Sequence, residues 1–227
     1  MSIVAIDIHP QQAFSELCPD ELPIQGALSI VPHLNRQAEW ADYRVLTKDA
    51  HIPQAKWNIR QQTELRPLEQ AEHWVSHAVV GSCGFQTLPQ LPEANNYHYL
   101  VHIGLEQHTH TYGACFHDMA ENISTGLIEW LESRGADTLI LGGLATEYCV
   151  QATALQLCWY GHWRVIVNLD ACRSLNRAEE QHAIRNMEKA GALIARRTDD
   201  IPQLLEKINQ YSKPAISQTG RLNSQAV

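Results

Sequence analysis

The segment around Cys149 carries the clearest chemical signal in the sequence, Leu141-Gly-Gly-Leu-Ala-Thr-Glu-Tyr-Cys149-Val-Gln-Ala-Thr-Ala. It predicts a strand that enters a tight Gly-Gly turn and leaves as a helix, with Cys149 in the first turn. There the helix dipole and the free backbone N–H groups stabilise a thiolate and supply donors for an oxyanion. The pattern is typical of a nucleophilic cysteine, and equally of a small buried residue that packs a helix against a sheet.

A second group of residues has the types that bind metal ions: Lys48-Asp49-Ala-His51, followed at a distance by Trp74-Val-Ser-His77. An aspartate and a histidine two residues apart at a strand end can place a carboxylate oxygen and an imidazole nitrogen on one ion. The Asp-x-His pair is weak evidence by itself, because surface loops often contain it. The chain has twelve histidines, so further imidazole ligands for a metal ion are available.

The hydrophobic periodicity predicts the elements that position these residues. Strand-like runs lie at 2–8, 43–47, 97–103, 138–142, 164–169 and 193–195, and helix-like runs at 27–41, 125–134, 147–160, 178–190 and 201–211. Strands that alternate with helices predict a three-layer α/β fold, with a six-stranded parallel sheet between helices. In such Rossmann-like sheets ligands bind beyond the carboxyl ends of the strands, which is where both groups lie.

Length and charge exclude several classes of function. The 227 residues fit one domain, which we place at 1–211, with a polar tail at 212–227 that is either an ordered arm or loose. The net charge of −8 argues against nucleic-acid partners and against anionic membrane surfaces. No apolar run is long enough to span a membrane, and no signal peptide is visible, so we expect a cytoplasmic protein. The segment 52–96 breaks the alternation, and such long inserts are usually functional.

The motif at 143–154 closely resembles the cysteine motif of the nicotinamidase family, within the isochorismatase-like cysteine hydrolases. Further similar segments are Cys18-Pro-Asp-Glu-Leu-Pro, Val167-Asn-Leu-Asp-Ala-Cys-Arg and Met187-Glu-Lys-Ala-Gly-Ala. The resemblance spans about 3–201 and implies the strand order 3-2-1-4-5-6. It also implies that Cys149 attacks a carboxamide, forms a thioester and releases ammonia. A cis peptide at Leu144–Ala145 and an oxyanion hole made by the Ala145 and Cys149 amides are implied as well.

The same resemblance implies ligands for the enzyme. Asp49, His51 and His77 match the family's metal ligands, with zinc as the first choice and iron or manganese as alternatives. Open positions on such an ion can hold the pyridine nitrogen of a substrate. Three aromatic residues match the positions that enclose the substrate ring, or else fill the core under the insert: Phe14, Trp74 and Tyr148. We therefore expect a small heteroaromatic substrate, a role in pyridine nucleotide salvage and a homo-oligomer.

Two catalytic positions of the family are substituted here. Its Asp-x-Gln-x-x-Phe motif aligns on Gln11 and Phe14, which puts His9 in the place of the acid/base aspartate. Asp7 reaches that place only through a shifted strand pairing. The family's lysine is replaced by Ile103. Four nearby histidines are expected to be mainly solvated loop residues, with room for one to reach the pocket: His102, His108, His110 and His117.

Three functions therefore remain open. His9 can accept the thiol proton of Cys149, as in Cys–His hydrolases, and Cys149 should then alkylate faster than Cys158. Alternatively, the protein has lost amidase activity and binds a metal and a ligand without hydrolysis, because losing a preorganised charge commonly costs ~10²–10³ in rate. A redox role for Cys149 is the third alternative, but no resolving cysteine is obvious.

Overall fold

A parallel sheet of six strands lies at the centre of the computed structural model, which describes residues 2–59, 74–108 and 110–212. The strands β1 to β8 are Ile3–Ile8, Tyr43–Asp49, Asn58–Ile59, Trp74–Val75, Tyr99–Ile103, Thr138–Leu144, Arg164–Arg173 and Leu193–Ala195. Six of them pair in the order β5-β2-β1-β6-β7-β8, and every pairing is parallel. Numbered within the sheet, this is the order 3-2-1-4-5-6, so the sequence-based topology is confirmed.

Five helices cover the two faces of the sheet within the described residues. The helices α1 to α5 are Val31–Ala38, Leu127–Ser133, Gln151–Tyr160, Arg177–Lys189 and Ile201–Ser212. Helices α2, α3 and α4 pack in one core with the side chains of one sheet face, such as Val45 and Leu139. Helix α5 packs on the opposite face against Ile140 and Ile166, and α1 lies on that face too, where Gln37 reaches Asp7. The three-layer α/β prediction is therefore confirmed.

The sequence explains why the central strands lie inside. Strand β6 is buried at all seven positions, as expected of a parallel strand with helices on both sides. Pro32 lies in the first turn of α1, where its missing N–H leaves no helical hydrogen bond unmade. Gly135 follows α2 with a φ of 59°, a conformation that glycine adopts without steric cost.

Two details differ from the sequence-based elements. The predicted helix at 147–160 consists of a π-helical turn, Thr146–Val150, followed by α3. The insert contains a short parallel pair, β3 with β4, which the periodicity missed because each strand has two residues. Residues 60–73 of the insert and 213–227 of the tail lie outside the described residues. The domain boundary at 211 stays a prediction.

The described ranges contain no helix long and apolar enough to cross a membrane. At the carboxyl edge of the sheet, the ends of β1, β2 and β6 lie side by side. Asp49 ends β2, His9 follows β1, and Cys149 lies in the turn after β6. The topology therefore brings both chemically distinctive groups of the sequence to one place.

Candidate active site

Cys149 lies at the bottom of a small pocket, with 5% of its surface exposed. The peptide Leu144–Ala145 that precedes its turn is cis, as the resemblance implies. Hydrogen bonding from the backbone N–H groups of Ala145 and Cys149 acts to lower the pKa of the Cys149 thiol. These are the two amides expected to form the oxyanion hole.

The charges around Cys149 oppose a thiolate in the absence of a bound cation. Burial raises the pKa of the thiol well above its usual value, and the carboxylates of Asp49 and Glu147 raise it further. The two backbone amides lower the pKa by less. None of the described residues that line this pocket is a lysine or an arginine. An ion bound at Asp49 would therefore add the positive charge that the wall lacks.

Four side chains at the pocket can hold a metal ion: Asp49, His51, His77 and His110. All four are buried, and one potential ligand atom of each lies within 4.8 Å of the others. The Nε2 atoms of His51 and His77 are each 3.8 Å from a different oxygen of Asp49, which is too far for a hydrogen bond. The separation leaves the ligand atoms facing one another across a shared space.

The outer nitrogens of two of these histidines are fixed by the backbone. Nδ1–H of His51 donates to the carbonyl oxygen of His77 at 2.9 Å, and Nδ1–H of His77 donates to that of Val75 at 2.6 Å. A carbonyl only accepts, so the proton of each neutral ring is on Nδ1 and the lone pair is on Nε2. Outer partners of this kind orient metal-binding histidines.

Unpartnered polar atoms support the fit of this donor set to a cation. Both carboxylate oxygens of Asp49, Nε2 of His51 and both ring nitrogens of His110 are buried without a hydrogen-bond partner. Burial raises the pKa of Asp49 to about 8 and lowers the pKa of His77 to about 4. Such orphaned groups are costly in a folded protein, and a bound divalent ion would satisfy them together.

The structure does not bring His9 into hydrogen-bonding contact with Cys149. Its Nδ1 lies 3.3 Å from Oγ1 of Thr47, and its Nε2 lies 3.9 Å from Oδ1 of Asp49 and has no hydrogen-bond partner. Because the φ of His9 is 44°, the chain leaves the alternation of β1 here and the ring turns toward Asp49. Direct transfer of the thiol proton to His9, as the sequence predicts, does not match these contacts.

Asp7 is not part of the pocket either. Its carboxylate accepts hydrogen bonds from Arg44 and from the hydroxyl of Tyr97 at 2.9 Å, and Arg44 approaches it to 2.7 Å. Burial raises the pKa of Asp7, and the nearby Arg44 opposes that shift. The strand pairing is regular through Asp7, so no shift of register brings it to Cys149. Its geometry is that of a buried structural ion pair.

An apolar residue, Ile103, occupies the position of the family's lysine, and its surroundings in the structure are apolar too. Ile103 is fully buried and belongs to the same apolar core as Cys149. Lys48 does not replace the lysine, because its ammonium lies 3.5 Å from the centre of the Phe85 ring, away from the pocket wall. Burial lowers the pKa of Lys48 to about 8.

The three predicted ring-binding residues, Phe14, Trp74 and Tyr148, all line the pocket. The rings of Trp74 and Tyr148 are perpendicular, with centroids 5.0 Å apart. The cavity that they enclose with the metal-binding side chains measures about 30 Å³. A narrow, mostly apolar slot of this kind favours a small planar ligand.

Tyr112 is a site residue that the sequence did not indicate. His110 belongs to the four histidines expected to be mainly solvated, with room for one to reach the pocket, and it lines the pocket, with the ring centroids of Trp57 and Tyr112 at 4.8 and 5.0 Å from its own. By contrast, His102 and His108 are exposed as expected. The only signal for His110 in the sequence is the density of histidines in and after β5.

The comparisons with known proteins agree with this geometry. The model of the Isochorismatase domain family matches residues 3–199. The nicotinamidase of Acinetobacter baylyi is 30% identical over 180 residues, which cover 75% of this chain and 82% of that protein.

Two solved structures share the fold. The PnC1 protein of L. infantum in complex with nicotinate has a TM-score of 0.74 at 24% identity and covers 87% of this chain and 93% of its own. The pyrazinamidase of Pyrococcus horikoshii in complex with zinc has a TM-score of 0.67 at 23% identity, with coverages of 86% and 99%. On the family match and the identity to a curated relative, the chain is a nicotinamidase-like member of the isochorismatase family.

Proposed function

We propose that the protein is a metal-containing cysteine hydrolase that cleaves the carboxamide of nicotinamide or of a related small heteroaromatic molecule. One observation carries the proposal: the buried Cys149 lines one pocket with three aromatic side chains and with residues of the candidate metal group. The relative that is 30% identical is a nicotinamidase, and a structural neighbour was solved with nicotinate, which support this substrate class.

In the proposed reaction Sγ of Cys149 attacks the carboxamide carbon. A carbon–sulfur bond forms, the carbon–nitrogen bond breaks, and the nitrogen leaves as ammonia with the thiol proton. The backbone N–H groups of Ala145 and Cys149 stabilise the negative charge that develops on the carbonyl oxygen. Water then hydrolyses the thioester, which releases the carboxylic acid and restores the thiol.

The aromatic residues and the metal group orient the substrate in this proposal. Trp74 and Tyr148 hold the ring in the slot, with Phe14 on its wall. A divalent ion held by Asp49, His51, His77 and His110 would supply a Lewis acid for the ring nitrogen. Zinc is the first choice, because imidazole-rich sites suit it and a structural neighbour was solved with it; iron and manganese are the alternatives. The homo-oligomer, the cytoplasmic location and the salvage role remain predictions.

A second candidate function has its own supporting observation. Ile103 occupies the position of the family's lysine, and none of the described residues that line the pocket is a lysine or an arginine. A protein with this wall can bind a metal and a heteroaromatic acid or amide without turnover.

Ammonia release from nicotinamide and from a panel of heteroaromatic carboxamides separates the two functions. Zinc-loaded protein and the Cys158→Ala control should release ammonia, and Cys149→Ala should not. Intact-mass spectra of quenched reactions should show an acyl adduct that maps to Cys149. If the wild type binds nicotinamide in calorimetry but releases no ammonia from any member of the panel, the binding function replaces the hydrolase.

A further inference from the structure

His9 and two histidines of the candidate metal group share one arrangement. In His51 and His77, Nδ1 is held by a backbone carbonyl and Nε2 lies 3.8 Å from an oxygen of Asp49. In His9, Nδ1 lies 3.3 Å from the hydroxyl of Thr47 and Nε2 lies 3.9 Å from Oδ1 of Asp49. All three rings are thus fixed on the outer side and present the other nitrogen to the same carboxylate.

Of the two ring nitrogens of His9, only Nδ1 has a hydrogen-bond partner, which is the hydroxyl of Thr47. The ring is fully buried, and Nε2 has no hydrogen-bond partner. The oxygen of Asp49 that it faces has none either. The two atoms are 3.9 Å apart, which is too far for a hydrogen bond, so a third component between them would satisfy both.

A cation is the component that suits both atoms. It accepts a lone pair from an imidazole nitrogen and from a carboxylate oxygen at once, and its positive charge compensates the negative charge of the carboxylate. Oδ1 of Asp49 lies 3.9 Å from Nε2 of His9 and 3.8 Å from Nε2 of His51, so both rings face the same ligand oxygen, and His9 adjoins the group of four whose ligand atoms all lie within 4.8 Å of one another.

We propose that His9 is a fifth protein ligand of the metal centre, which then consists of four histidines and one aspartate. The inference rests on the metal site proposed above and reassigns the residue that stands in the place of the acid/base aspartate. A centre so rich in imidazole should select zinc, cobalt or nickel over magnesium or calcium. With Nε2 on the ion, His9 does not take the proton of Cys149.

Metal titration of the full chain tests this assignment without any substrate. Metal-free protein is titrated with Co²⁺, followed by visible absorption, and with Zn²⁺ in competition with a chromophoric chelator. His9→Gln should weaken zinc affinity by roughly 10–100-fold or more, because even outer partners of ligands contribute that much. It should also change the Co²⁺ spectrum, since the loss of one nitrogen ligand alters the geometry. The exposed His102→Gln is the matched control, and circular dichroism of the metal-free variants checks that they fold.

Two outcomes would overturn the inference. One is a His9→Gln variant whose zinc affinity and Co²⁺ spectrum equal those of the wild type and of His102→Gln. The other is wild-type protein that binds neither ion while His51→Ala behaves identically. Neither result depends on amide hydrolysis, so a failure of the proposed reaction leaves this test intact. The first result removes only His9 from the metal centre, whereas the second also removes the metal from the proposed function.

Discussion

The side-chain amide of Gln11 makes two hydrogen bonds with the backbone of Asp49. Nε2 donates to the carbonyl oxygen at 2.9 Å, and Oε1 accepts from the backbone N–H at 2.7 Å. Gln11 is fully buried and lies two residues after His9. Gln11, in the loop after β1, therefore holds the backbone of Asp49, a residue of the candidate metal group at the end of β2.

We expect Gln11→Ala to weaken zinc binding by roughly 10–100-fold, because Asp49 loses the contacts that hold its backbone. Competition titration with a chromophoric chelator measures the affinity. Gln12→Ala is the control, since the Gln12 amide donates to Thr87 and not to a residue of the metal group. Equal zinc affinities of the two variants, both folded, would show that Gln11 does not position Asp49.

Asp7 is expected to contribute to stability and not to catalysis. Asp7→Asn leaves Arg44, whose side chain is 12% exposed, without its charged partner. Breaking a buried ion pair on one side should lower the free energy of unfolding by about 3 kcal/mol. For a chain of this size that corresponds to a fall in Tm of roughly 6–12 °C.

Calorimetry of metal-free protein checks the stability effect of Asp7→Asn, and zinc titration checks the site. The exposed Asp20→Asn is the control and should change neither quantity. The ion-pair interpretation is contradicted if Asp7→Asn keeps the wild-type Tm. It is equally contradicted if the variant loses zinc affinity while its fold is intact.

The alternation of strands and helices was sufficient to predict a parallel six-stranded sheet, because the central strands are apolar on both faces, whereas the strand order came from the family resemblance. The family motif predicted Asp49, His51 and His77, which lie next to the predicted carboxyl edge. His110 could not be predicted in this way. Its burial depends on residues distant in sequence, such as Trp57 and Trp74, whose rings pack near its own.

The direction of the His9 ring was also invisible to pattern analysis. Alternation along β1 places positions 7 and 9 on the same face, so the sequence treats Asp7 and His9 as alternatives for one role. The φ of 44° at His9 breaks that alternation and separates them. A positive φ at a residue other than glycine is uncommon and has no signal in the hydrophobic pattern.

Cys149 should be a slow thiol in the metal-free protein, contrary to the expectation that it alkylates faster than Cys158. Its burial and the carboxylates of Asp49 and Glu147 raise its pKa, which lowers the fraction of thiolate at neutral pH. The exposed Cys83 should react with iodoacetamide before either of them. Peptide mass spectrometry over time gives the order of the three thiols.

Glu147→Gln tests the electrostatic part of this effect. The amide keeps an acceptor for the backbone N–H of Asn176 but removes the negative charge, so the pKa of Cys149 should fall. A fall of one pKa unit would raise the thiolate fraction below the pKa about tenfold. We therefore expect alkylation of Cys149 at pH 8 to become up to about tenfold faster, and the exposed Glu188→Gln should leave it unchanged. A rate in Glu147→Gln equal to that of the wild type would remove Glu147 as a cause.

Substitution of Trp74 tests whether the aromatic side chains bind a ligand ring or only fill the core under the insert. Its ring is perpendicular to that of Tyr148 at 5.0 Å, and its Nε1–H donates to the hydroxyl of Tyr112 at 3.1 Å. If the slot holds a heteroaromatic ring, Trp74→Ala should weaken nicotinate binding to the zinc-loaded protein by roughly tenfold, because an aromatic pair contributes about 0.5–1.5 kcal/mol beyond the buried area. Trp74→Phe should keep most of that affinity, since it keeps a ring on the same wall.

Trp159→Ala, at a side chain 65% exposed, is the control and should bind nicotinate as the wild type does. Isothermal titration calorimetry gives the affinities. A Trp74→Ala protein that loses stability but binds nicotinate with unchanged affinity would mean that Trp74 only fills the core under the insert.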